Sequence, residues 1–310
     1  MLSTVIAAKP RVALCTEGFH PRFNKMAAVR PNLEIFQRAA ATAAQLGYRG
    51  IEIVATTLAD EPTKLTVSQI SQFTKAAEQA GVEIVGLHWL LAGINDVHLT
   101  SPDPFTRENT CETIADLLRL TKDLGGRLVV HGSPNQRSLL PNVTPKAALD
   151  YAVGIYTDVM DETEDTGIKV CFEQLSHEET DFITTLPELA NFISWVGNPR
   201  FTGHLDVKAL NPQAANEKEA AALIRNFAFL AGHFHLNDWT NKSGPGCGTL
   251  HMPTIFKAIG DSGYYSSGSG KWLSVEFFDF IGDGIPEESV VDIARRSYQC
   301  IIENRELWKG

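Results

Sequence analysis

The sequence predicts an α/β fold, a single (β/α)8 TIM barrel spanning residues 1–310, and three observations carry that expectation. Short apolar runs alternate with longer amphipathic segments from one end of the chain to the other. Eight such pairs can be traced, and each parallel crossover needs a helix-length return. The length suits one barrel, which takes about 250 residues plus insertions.

The elements follow in order. RVALCTE (11–17) reads as the first strand, and its helix follows Pro31-Asn32 and stops at Gly47. GIEIVAT (50–56) is the second strand, with a helix from Thr66 to Gly81. VEIVGLHW (82–89) is the third, followed by the helix PFTRENTCETIADLLRLTKDLG. RLVVHGS (127–133) is the fourth, with a helix from Thr144-Pro145 to Thr166. KVCFEQL (169–175) is the fifth, followed by the helix around PELANFISWV. FTGHLDV (201–207) is the sixth, followed by a helix through AANEKEAAALIRNFAFLAG. GHFHLND (232–238) is the seventh, and PTIFKAIGDSG supplies its helix. KWLSVEFFD (271–279) is the eighth, closed by a helix over 286–307. Glycine after the last apolar position of several helices is the expected stop. The rival topology, a doubly wound open sheet, would place a Gly-rich phosphate turn after the first strand, and CTEGFHPRFN is not one.

Composition excludes several classes. A net charge of −10, with short and isolated basic clusters at 21–25 and 295–296, argues against gripping a phosphate backbone, so no nucleic-acid partner is expected. Five scattered cysteines without a CxxC pair read as reduced thiols of a cytoplasmic enzyme. No signal peptide is read in MLSTVIAAKPRVAL. No apolar run approaches the ~20 residues that span a bilayer, so no membrane partner is expected either.

In such a barrel, chemistry sits at the C-terminal strand ends. His88, His131, Glu173, Asp206, His233, His235 and Glu276 all fall there. A charged side chain in an apolar strand is expensive to bury unless it is paired or bound to a cation. Three carboxylates and a histidine converging on one mouth would repel one another without a divalent ion. That donor mixture suits Mn²⁺, Mg²⁺, Co²⁺ or Zn²⁺. Blander readings stand beside these. Glu173 could pair with a lysine, Asp206 could cap the following helix, and His131 and His204 could be satisfied structural residues. Alternation puts His233 and His235 on one face, as a ligand with its neighbour or as two lumen-facing groups. SPNQR (133–137) could grip an anion through Arg137, or be an ordinary polar loop. His88 and Trp89, with Phe277 and Phe278, could wall a ligand or pack the barrel.

Six segments carry a resemblance: GYRGIEI, VVHGSPNQR, CFEQLSHEETDF, HLDVKAL, HFHLND with GPGCGTLHMPTIFKAIGDSGY, and SVEFF. Through them the chain resembles the xylose isomerase-like TIM barrel superfamily of sugar phosphate isomerases and epimerases, nearly end to end. The resemblance implies one divalent metal ion held by Glu173, Asp206, His235 and Glu276, with Glu173 and Glu276 flanking the substrate and exchanging a proton with its carbon. Glu179 in the third of these segments joins His88, Trp89, His131, Arg137, Lys208 and His233 as a candidate substrate contact. Two positions depart from the ketose 3-epimerase pattern. Ala209 stands where a histidine is usual, with Lys208 beside it, and Asn241-Lys242 stand where an arginine is usual. Lys208 is either a replacement contact for a developing oxyanion or a solvated loop lysine.

The expected function is divalent-metal-dependent isomerisation or epimerisation of a sugar or keto-sugar through a metal-stabilised enediolate. Loss of a β-hydroxyl from a keto-sugar or keto-inositol at the same site is the alternative. A DNA-repair endonuclease of the same superfamily would need a DxxH after the sixth strand, where Val207-Lys208-Ala209 follows Asp206, and a DxH after the seventh. A non-catalytic sugar-binding barrel would have no need of both glutamates. The expected partner is a small carbohydrate, and a homodimer would suit the fold.

Overall fold

The computed structural model describes residues 11–239, 243–265 and 270–308. Eight parallel strands close into a barrel in sequence order. They are β1 (Val12–Cys15), β2 (Gly50–Val54), β3 (Glu83–His88), β4 (Leu128–His131), β5 (Lys169–Glu173), β6 (Phe201–Asp206), β7 (Ala231–Leu236) and β8 (Leu273–Val275). The outer ring consists of α1 (Asn32–Leu46), α2 (Val67–Ala80), α3 (Pro104–Asp123), α4 (Pro145–Glu162), α5 (Leu186–Val196), α6 (Glu217–Phe227), α7 (Met252–Asp261) and α8 (Glu287–Glu303). A short α9 (Arg305–Trp308) follows. The alternation read in the sequence is thus the observed architecture.

Local chemistry sets the helix ends. Thr66 and Thr185 build reciprocal capping boxes with Gln69 and Glu188, and Asp103 and Thr144 cap α3 and α4, each ahead of a proline in the first turn. Gly47, Gly81 and Gly197 adopt the left-handed conformation at three C-termini.

One strand and one helix differ from expectation. The eighth strand is three residues long, so Glu276 stands one residue past it. The helix read over AANEKEAAALIRNFAFLAG ends at Phe227, and a 3₁₀ turn over Ala228–Leu230 hands the chain to β7.

Alternation along each strand divides the interior in two. Outward residues such as Leu14, Ile51, Val129, Phe172, Leu205, Phe234 and Leu273 join the helices in one large apolar core. The opposite faces contribute a small separate cluster, Ala13, Val85, Leu128, Val130, Cys171 and Trp272, and above it a polar column. Glu52, His204, His233, His235 and Ser274 form that column, and none is more than 1% exposed.

Candidate active site

The strand ends place four acid and imidazole groups at one mouth. Glu173 ends β5, Asp206 ends β6, His235 lies near the end of β7, and Glu276 follows β8. Asp206 is in register with His235, and His235 with Ser274, two residues before Glu276. The His235 ring is fixed from both edges. Its Nδ1 lies 3.0 Å from Glu276 Oε2 and 4.0 Å from Asp206 Oδ2, while Nε2 lies 2.9 Å from Glu52 Oε2. Asp206 does not cap the following helix, which Asn216 caps; its Oδ1 accepts the Ala209 amide at 2.9 Å in the turn after β6. Its Oδ2 accepts from Asn237 Nδ2 at 2.8 Å and is turned toward His235.

Glu173 reaches the site because position 132 is glycine. A Cβ on Gly132 would stand 1.9 Å from Glu173 Oε2. Glu173 and Glu276, both nearly fully buried, line one cavity of about 710 Å³ together with Glu179 and Lys208. Lys208 Nζ donates to Glu179 Oε1 at 2.8 Å and sits 4.4 Å from the centre of the Phe278 ring. Its side chain is only 10% exposed, which rules out the solvated loop lysine. Glu179 is itself held by the amide and hydroxyl of Ser176.

The electrostatics split the carboxylates. Burial pushes Glu173 well above the usual carboxylate range, and the charges of Asp206 and Glu276 push it further. Burial likewise raises Asp206 to about 6 against the pull of Lys208. Burial would also raise Glu276, but the charge and hydrogen bond of His235 outweigh it and hold Glu276 at about 2. His235 responds in kind. Burial works against its protonation, yet Glu276 leads the neighbours that push its pKa well up. Two carboxylates facing one cavity with pKa values pushed apart is an arrangement suited to an acid and a base.

The donor set fits a divalent cation. Glu276 Oε1 is buried with no hydrogen-bond partner among the described residues, and a buried carboxylate oxygen in that state calls for a ligand. Glu52 engages Nε2 of His235 and leaves Nδ1 directed at two acids, the arrangement by which a second carboxylate orients a metal-ligating imidazole. Among the described residues, the groups with all ligand atoms within 4.8 Å include His204–Asp206–His235, Glu52–His233–His235 and Glu17–His88–Glu276. Glu173 belongs to none of them; it shares the cavity with Glu276 and feels the charges of Asp206, Glu276 and His235.

Several expected substrate contacts need correction. Trp89, Glu179 and Lys208 line the cavity, but among the described residues His88, His131, His233 and Arg137 do not. Arg137 is fully buried, donates to the carbonyls of Glu173 (2.6 Å) and Ile183 (3.1 Å), and lies over the Phe172 ring, so it ties the loop after β5 instead of gripping an anion. His88 pairs with Glu17 at 2.9 Å, His131 with the Tyr156 hydroxyl, and His233 with Glu52 at 2.5 Å. Phe277 is packed against Phe280, leaving Phe278 as the wall residue. Asn241 and Lys242 lie outside the described residues.

Glu52 and Glu17 were not singled out from the sequence. The available signal for Glu52 was the one that exposed Glu276, a lone carboxylate in an apolar strand (GIEIV).

A family model described as "Xylose isomerase-like TIM barrel" matches residues 40–299. The chain belongs to this family. D-psicose 3-epimerase of Ruminiclostridium cellulolyticum is 27% identical over 229 residues, 72% of this chain and 73% of that one. L-ribulose 3-epimerase of Mesorhizobium japonicum is 23% identical over 184 residues, 59% of this chain and 61% of that one. The crystal structure of D-psicose 3-epimerase from Clostridium cellulolyticum H10 with D-tagatose superposes with a TM-score of 0.77 at 20% identity, covering 97% of this chain and all of that one. That likeness shows the barrel; the sequence relatives support an enzyme of the sugar isomerase and epimerase class. No helix among the described residues is long and apolar enough to cross a membrane.

Proposed function

We propose that this family member is a metal-dependent sugar epimerase or isomerase in which Glu173 and Glu276 exchange a proton with a carbon next to the substrate carbonyl. The observation that carries the reading is that both glutamates open into one cavity at the strand ends that also carry Asp206 and His235. Glu173, Asp206, His235 and Glu276 would hold the ion, for which Mn²⁺, Mg²⁺, Co²⁺ and Zn²⁺ all suit the donors. A bound divalent cation supplies positive charge that acidifies the C–H beside the carbonyl.

The chain's own residues do the rest. One glutamate takes the proton, and the other, across the substrate, returns a proton to the opposite face or to the neighbouring carbon. Lys208, fixed by Glu179 and Phe278, presents a cation to a substrate oxygen as negative charge develops there. The site's burial keeps bulk water from competing for the carbanion.

Solvent exchange tests this directly. The Mn²⁺-loaded chain, incubated in D₂O with ketoses, aldoses and keto-sugars, is expected to place deuterium at a carbon adjacent to the carbonyl of at least one. One bound ion per chain is expected by elemental analysis. Absence of exchange with the whole panel refutes the assignment.

A further inference from the structure

Three buried side chains on the first three strands take no part in the proton transfer. Cys15 ends β1, Glu52 lies within β2 and His88 ends β3. One ligand atom from each lies within 4.8 Å of the other two. Glu52 Oε2 is the hub. Cys15 Sγ stands 3.9 Å from it, and His88 Nδ1 also stands 3.9 Å from it.

His88 is oriented from its other edge. Its Nε2 lies 2.9 Å from Glu17 Oε2, while Nδ1 is buried with no hydrogen-bond partner among the described residues. A buried polar atom in that state is costly and calls for a ligand. An imidazole tied to a carboxylate at one nitrogen and open at the other is the form in which histidine binds metals. Glu17 thus does for His88 what Glu52 does for His235. The Cys15 thiol is held weakly, since Glu52 Oε2 and His235 Nε2 both stand 3.9 Å from Sγ.

The spacing suits a cation. Bonds of about 2.0–2.3 Å in a tetrahedron set neighbouring ligand atoms roughly 3.3–3.6 Å apart. The two 3.9 Å gaps around Glu52 Oε2 need to close by only a few tenths of an ångström. A thiolate and a carboxylate together neutralise a divalent charge, and sulfur favours soft ions over Mg²⁺ or Mn²⁺. The mouth, with three carboxylates and one imidazole, offers no sulfur. An entry path exists as well. His88 also groups with Glu17 and Glu276, and Glu276 lines the cavity, so an ion at the mouth is one carboxylate away.

We propose that Cys15, Glu52 and His88 form a second metal site, selective for a soft divalent ion such as Zn²⁺ or Cd²⁺. Binding exchanges the Cys15 Sγ–H bond for an Sγ–metal bond and releases that proton to solvent, with no electron transferred. Three protein ligands leave the fourth tetrahedral position to water. Glu52 Oε2 has a second lone pair for His235 Nε2, so the two sites share one carboxylate. The inference stands independently of the proton-transfer reading.

The test titrates Cd²⁺ into the Mn²⁺-loaded full chain and follows the thiolate-to-cadmium charge-transfer absorption in the ultraviolet, which a sulfur ligand produces and the mouth does not. A tight component of one Cd²⁺ per chain is expected, and Cys15→Ser should lose it. Glu17→Gln leaves every ligand in place and should weaken that component about 10–100-fold. Excess Zn²⁺ should abolish the band, and excess Mg²⁺ should leave it. If Cys15→Ser loses the native circular dichroism spectrum, the Glu17→Gln titration decides. Matching titrations of Cys15→Ser and the parent chain overturn the site. So do absence of the band at saturating Cd²⁺, its displacement by Mg²⁺, or undiminished affinity in Glu17→Gln.

Discussion

The carboxylate of the polar column inside the barrel and those of the mouth above it stand in opposite states. Below, both oxygens of Glu52 are engaged, by His233 and Ser274 on one side and His235 on the other. The histidines draw the Glu52 carboxyl well below the usual range although burial alone would raise it. Above, Glu276 keeps a buried oxygen without a partner, and Glu173 is driven toward protonation by burial and by its acidic neighbours. A carboxylate engaged at both oxygens fixes geometry, whereas one with an open oxygen beside a cavity is poised for a ligand. His235 belongs to both layers, one ring nitrogen to each, and transmits the order of the lower to the upper.

The comparison can be broken from above with the largest effect. Glu173→Gln keeps the shape and removes the proton carrier, so deuterium exchange should fall by about 10³-fold with an unchanged circular dichroism spectrum. Breaking it from below should act through the metal. Glu52→Gln loosens His235, and divalent-ion affinity measured by calorimetry is expected to drop about 10–100-fold, with exchange activity largely recovered at saturating metal. Gly132→Ala touches neither layer's hydrogen bonds but drives a methyl into the Glu173 carboxylate. About a tenfold loss of exchange with metal affinity nearly intact would separate Glu173 from the tighter group around His235.

The smallest effect concerns pH. Asp206 in the folded chain titrates at about 6, above its ordinary 3.8, and Glu173 is shifted in the same direction. At these two groups the folded state therefore holds more protons than the unfolded one in this window. The associated stability is fully present below pH 3.8 and is lost as pH rises through 6. Added divalent ion should raise Tm more at pH 7 than at pH 5, because protons on Asp206 and Glu173 compete with it.

Legibility in the sequence followed physical rules. Period and helix stops reveal βα units because burial imposes them locally, and Glu173, Asp206, His235 and Glu276 were visible as charges in apolar surroundings. Arg137 illustrates where that logic stops. A buried arginine advertises a need for acceptors, but only the fold reveals that backbone carbonyls at Glu173 and Ile183 supply them. Lys208 was undecidable for the same reason, since its partner Glu179 comes from another loop. Glu52 obeyed the rule that identified Glu276, yet β2 lies far in sequence from the histidines it holds.

The separate small cluster beneath the polar column has a wider consequence. Nearly all of the apolar burial lies between strands and helices, outside the ring of strands. Resistance to heat is thereby lodged in the annulus, and reactivity in the bore. Exchanging a residue of the cavity wall changes which molecules are transformed while leaving that annulus intact, so this scaffold can acquire new substrates faster than it can acquire a new shape.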